Sequence, residues 1–125
     1  MTPLKAIHQV LIGIREKGPT DPTCGICSNV YEALWFYEAA DNDLCAKAEA
    51  LWSNLTHSYS LWREWPHYSG EDLYPVPGGE DAYDVAVVAD GMWGRGTEYG
   101  RLRWDLLDHV IGVVEDMLQA EPATQ

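Results

Sequence analysis

The strongest constraint in this chain is the spacing of its apolar residues near the two ends. Tyr99, Leu102, Leu106, Val110, Val113, Val114 and Met117 recur at intervals of three and four, as do Leu4, Ile7, Val10, Leu11 and Ile14. That period places each set on one face of an α-helix, and each face must be covered by another element. Thr2-Pro3 reads as an N-cap followed by proline at the first helical position, and Gly18-Pro19 as a stop, so helix one is expected over 3–17. Ile26, Asn29, Val30, Ala33, Leu34 and Tyr37 continue the pattern with Thr23 as cap, predicting helix two to about Ala40. Asp41-Asn42-Asp43 begins a third helix carrying Leu44, Ala48, Leu51, Trp52 and Leu55, which extends to Tyr59 and Trp62 if the periodicity holds. The last helix starts at Thr97-Glu98 and stops before Pro122.

Between Pro66 and Gly79 the helical pattern lapses. Pro75 and Pro77 sit among Tyr68, Leu73, Tyr74 and Val76, which are too apolar to be left in water, so 66–79 is expected to be an ordered loop. Val85-Ala86-Val87-Val88 fits either a buried strand or a helix from about Asp81 to Met92. Helix is favoured because nothing else in the chain supplies a partner strand. The fold class expected is all-α: a compact four- to five-helix bundle with one ordered Pro/aromatic-rich loop. It forms a single helical domain over 1–125, with a frayed tail at 120–125.

Charge narrows the function classes. Eight Lys and Arg oppose twenty Asp and Glu, a formal net charge of −12 that repels phosphate and speaks against direct nucleic-acid binding. The excess belongs to the second half, and between Arg63 and Arg95 seven acids occur without one Lys or Arg. No apolar run approaches the ~20 residues that span a bilayer, so no membrane association and a cytoplasmic location are expected. The six tryptophans and seven tyrosines exceed what a small core needs, and such residues dominate binding hot spots. At least half are expected to build the core. The partner-binding residues expected from the coincidence of acid and aromatic groups are Trp65, Glu71, Asp72, Tyr74, Glu80, Asp81 and Asp84.

Two other chemistries compete. Cys24-x-x-Cys27 is one metal-binding pair, and Cys45 with His57 or His67 would complete a tetrahedral zinc set. Arg95, Arg101 and Arg103, close to Tyr99 and Trp104, form an alternative anion-binding site for a small molecule; in the bland reading Arg101 pairs with Asp105 and Glu98 along the helix. Gly94-x-Gly96-x-x-x-Gly100 has the wrong spacing for a dinucleotide fingerprint and reads as a tight turn between helices. His8 and His109 read as surface or core-edge residues. No catalytic motif is recognised, and neither a cofactor nor an enzymatic activity is expected.

The landmarks Trp65-Pro66-His67-Tyr68-Ser69-Gly70, Tyr74-Pro75-Val76-Pro77, Trp93 and Tyr99-Gly100-Arg101-Leu102-Arg103 resemble small proteins of unassigned function encoded by phages and prophages of Gram-negative bacteria, over about residues 24–112. The resemblance implies an accessory protein, acting in the host cytoplasm, that binds and modulates a host or defence protein. Asp81-Asp84 and Asp105-Asp108, three apart, and the adjacent pair Glu115-Asp116 match phosphate spacing only locally, and no stripe long enough for strict DNA mimicry occurs, so a general protein-binding role is expected.

Overall fold

The computed structural model describes residues 1–22, 24–36, 42–58, 60–61, 64–65, 93–96 and 98–121. Among them are four helices and no strand: α1 (Pro3–Lys17), α2 (Ile26–Trp35), α3 (Asn42–His57) and α4 (Glu98–Ala120). The expected loop at 66–79, the expected helix between Asp81 and Met92, and the tail beyond residue 121 lie outside the described residues.

Helix α1 is the central element, packing on α2, α3 and α4, while α2 also packs on α3. Its cap is the expected one: the Lys5 N–H donates to Thr2 Oγ1 at 3.3 Å, with Pro3 opening the helix. Gly18 ends it with φ of 92°, a conformation glycine adopts without penalty, and its N–H donates to the Ile14 carbonyl at 2.8 Å. Leu4, Ile7, Val10, Leu11 and Ile14 are all buried, as the periodicity demands, and Ala6 joins them. The stripe is wide because three helices cover it.

Helix α2 differs from expectation at both ends. Gly25, not Thr23, is the N-cap and supplies no side-chain bond. Buried Asn29 instead ties down the preceding turn: its Nδ2 group donates to the carbonyls of Asp21, Cys24 and Gly25 at 2.9–3.0 Å, while its Oδ1 accepts from the Asp21 N–H at 2.8 Å. One side chain thus satisfies the turn before the helix. The helix stops at Trp35 rather than near Ala40, where the Cys45 thiol of α3 donates to the Leu34 carbonyl, an orphan acceptor of the last turn.

Helix α3 also stops early, at His57. The Ser60 N–H reaches back to the Leu55 carbonyl at 3.2 Å, the six-to-one bond that closes many helix C-termini; Tyr59 and Trp62, to which the helix was expected to extend, lie outside the described residues. Leu61 and Trp65 return to the core beyond it.

In α4, Leu106, Val110 and Val114 are buried as expected, and Leu107, Ile111 and Arg103 are buried with them. Near its start, a Cβ on Gly100 would lie 1.7 Å from the Gly94 carbonyl oxygen, so only glycine lets the 93–96 turn lie on this helix. A Cβ on Gly13 would meet nothing within 4 Å. Gly100→Ala is therefore expected to cost about 1–3 kcal/mol in overpacking. Gly13→Ala should stabilise by up to about 1 kcal/mol through helix propensity. Urea unfolding of both variants checks the opposite signs.

Candidate binding groove

Four indole N–H groups and their acceptors organise the interior. Trp52 Nε1 donates to the Cys27 carbonyl at 3.3 Å, Trp93 Nε1 to the Cys24 carbonyl at 2.8 Å, Trp104 Nε1 to the Trp93 carbonyl at 2.7 Å, and Trp65 Nε1 to Asp105 Oδ2 at 2.9 Å. Trp93 and Trp104 meet edge to face, their centroids 5.0 Å apart. Trp52, Trp65 and Trp93 are buried, Trp104 is half-buried, and Trp35 is 72% exposed. Most of the described tryptophans are thus structural.

This packing corrects one expected partner-binding residue. Trp65 is only 3% exposed and faces Asp105, so it belongs to the core and cannot present its ring to a partner. Glu71, Asp72, Tyr74, Glu80, Asp81 and Asp84 lie outside the described residues.

The three arginines expected to share an anion site are not brought to one surface. Arg103 is 2% exposed, with its guanidinium carbon 6.0 Å from the centroid of Trp93. Arg95 lies at the surface with its guanidinium 4.1 Å from the Trp104 centroid, a cation–π contact worth roughly 0.5–1 kcal/mol when exposed. Arg101 is exposed, and the expected Arg101–Asp105 ion pair does not form: Asp105 accepts from the Trp65 indole instead.

The proposed zinc donors are likewise separated. Cys24 Sγ donates to Asp21 Oδ2 at 3.3 Å, Cys45 Sγ is occupied at the end of α2, and His57 Nδ1 donates to the Ser53 carbonyl at 2.7 Å. Extended Gly25 lies between Cys24 and the helical Cys27, which removes the CxxC pair from regular helical spacing. Among the described residues no three His, Cys, Asp or Glu side chains form a group able to hold a metal ion.

What the fold does assemble is an acidic groove of about 760 Å3, lined on the α4 side by Asp108, His109, Gly112, Glu115 and Asp116, with His8 and Glu64 also contributing. The α4 positions follow from helical spacing: 108, 112, 115, 116 and 119 share one face. His8 is brought there by α1, and Nε2–H of its ring donates to Glu115 Oε2 at 3.1 Å, joining the two helices. Glu64 arrives from the turn beyond α3, next to buried Trp65, which is tied to α4 through Asp105. A recess of about 400 Å3 shares Glu64, His109, Val113 and Asp116 with the groove and adds Ser60. Among the described residues no Lys or Arg lines either cavity. The Nε2 atom of His109 is buried and has no hydrogen-bond partner among the described residues.

In the sequence, Asp108, Glu115 and Asp116 read only as members of local acid pairs, and His8 and His109 as surface or core-edge residues. The shared face of α4 was a usable signal. The approach of His8 and Glu64 was not, because it depends on tertiary packing.

No protein-family model, curated protein or solved structure matches this chain.

The indole bonds carry a stability test. Trp93→Phe keeps an aromatic ring but removes the donor to Cys24, and it should cost about 1 kcal/mol, the usual net value of one hydrogen bond. Trp35→Phe, at an exposed site, should change stability by less than about 0.5 kcal/mol. Equal losses in thermal denaturation would contradict this division of roles.

Proposed function

We propose that this chain is a protein-binding module that captures a basic segment of another protein through a cation-poor acidic surface. The observation that carries this reading is the groove beside α4, where Glu64, Asp108, Glu115 and Asp116 line one cavity to which no Lys or Arg among the described residues contributes. Carboxylates gathered in a cleft raise the local concentration of cationic ligands and accelerate their encounter, while the net charge of −12 opposes nucleic acid as the ligand. The placement of the chain's own cations supports the reading too: Arg103 is buried and Arg95 stacks on Trp104.

On this reading Glu71, Asp72, Tyr74, Glu80, Asp81 and Asp84 extend the acidic surface, and the resemblance to phage accessory proteins makes the partner a host or defence protein with a basic face. The zinc and anion-site alternatives gain no support from the arrangement of Cys24, Cys27, Cys45 and His57, or from that of Arg95, Arg101 and Arg103.

The test is capture of partners from bacterial lysate, compared between the native chain and a variant carrying Glu64→Lys, Asp108→Lys and Asp116→Lys. The native chain should retain basic proteins whose association slows roughly tenfold or more between low and high salt. The variant should lose them while keeping the native circular dichroism spectrum. Retention of the same proteins by the folded variant would contradict the proposal.

A further inference from the structure

The Cys24-x-x-Cys27 pair takes no part in the acidic groove. Both cysteines are reduced and half-buried, so reagents in solution reach them. Their backbone is held by three donors: the Cys24 carbonyl accepts from Trp93 Nε1 at 2.8 Å and from Asn29 Nδ2 at 3.0 Å, and the Cys27 carbonyl accepts from Trp52 Nε1 at 3.3 Å. The two thiols stand in different electrostatic settings. Cys27 is the second residue of α2, after the Gly25 cap and Ile26, where the positive end of the helix dipole favours a thiolate. Cys24 lies outside the helix and its thiol donates to Asp21 Oδ2 at 3.3 Å, so the neighbouring carboxylate favours the protonated form. One motif thus carries a nucleophile and, three residues away, a thiol already bonded to a proton acceptor.

We propose that Cys24 and Cys27 form a dithiol site that reduces a small-molecule disulfide and is itself converted to a disulfide bridge. The Cys27 thiolate attacks one sulfur of the substrate, whose S–S bond breaks; a mixed disulfide forms and the first substrate thiolate leaves, taking from solvent the proton that Cys27 had released. Asp21 then accepts the Cys24 proton as Cys24 Sγ attacks Cys27 Sγ. The mixed disulfide breaks, and the second substrate thiolate departs with that proton. Two electrons pass from the dithiol to the substrate: one disulfide becomes two thiols and two thiols become one disulfide. The bridge needs Cα atoms about 4.4–6.8 Å apart, a span that residues three apart reach at a turn. Gly25, between them, has no side chain to obstruct that turn. Because Trp52, Trp93 and Asn29 fix the backbone of the pair, the second attack joins groups already held close together. This chemistry is independent of the binding of basic segments beside α4.

The test incubates the reduced full chain with glutathione disulfide at pH 7, quenches with acid, and follows the thiols by alkylation and mass spectrometry. Of its three thiols the native chain should lose two, retain no glutathione on them, and yield a Cys24–Cys27 bridge in peptide mapping. Cys45, whose thiol donates to the Leu34 carbonyl at the end of α2, is the reference and should react roughly tenfold or more slowly than Cys27. Cys24→Ser should stop at a stable glutathione adduct on Cys27. Asp21→Asn keeps the backbone bonds to Asn29 but removes the charge beside Cys24, so in a Cys27→Ser background it should speed alkylation of Cys24 severalfold. Circular dichroism establishes that each variant retains the native helix content. Glutathione adducts on the native chain without a Cys24–Cys27 bridge would overturn the proposal. So would a Cys27 that reacts no faster than Cys45 in folded Cys24→Ser, since the pair would then be two packing thiols.

Discussion

A tryptophan can be buried in a small core only if its indole N–H finds an acceptor, and that requirement shapes this molecule. The four acceptors are the carbonyls of Cys24, Cys27 and Trp93 and the carboxylate of Asp105. Each bond joins parts of the chain that the helical pattern alone would not register. Trp52 ties α3 to α2, Trp93 ties the turn before α4 to the loop before α2, and Trp65 ties the segment after α3 to α4. Helix α1 fills the centre and contacts the other three helices. The approach of the 93–96 turn to Gly100 belongs to the same arrangement, since that turn carries Trp93 and Gly94.

The same packing sets the electrostatics. With Arg103 taken into the core beside Trp93 and Arg95 laid over Trp104, the start of α4 uses cations to complete the aromatic cluster. Further along α4 the carboxylates of Asp108, Glu115 and Asp116 face a groove with no lysine or arginine among its described lining residues, and His8 bonds to Glu115. Aromatic interior and acidic cleft are therefore linked: the Trp65–Asp105 bond that closes the core also fixes the segment bearing Glu64 against α4.

Much of the helical architecture was legible in the sequence. The limits of α1, its Thr2 cap and its Gly18 stop follow from local chemistry, and the start of α4 and its end before Pro122 follow from period and punctuation. The errors arose where a tertiary contact overrode a local signal. Asn29 is buried on the expected face of α2 and also bonds the turn before it, a role that its spacing does not announce; Cys45, one of the alternative zinc donors, donates at the end of that helix. Trp65 looked like an interface residue because sequence cannot reveal that Asp105, forty positions away, would receive its N–H. Likewise, the groove needed His8 and Glu64 to be carried to α4, which no spacing rule announces.

On the proposed function, α4 presents its carboxylates as one prepared site for a cationic side chain. The most direct measurement is a heteronuclear NMR titration of the isotopically labelled chain with a lysine peptide. The account expects amide shifts concentrated at Glu64, Asp108, Gly112 and Asp116, with the α1–α2 interface unmoved. Shifts spread evenly over every acidic surface, or centred away from α4, would contradict it.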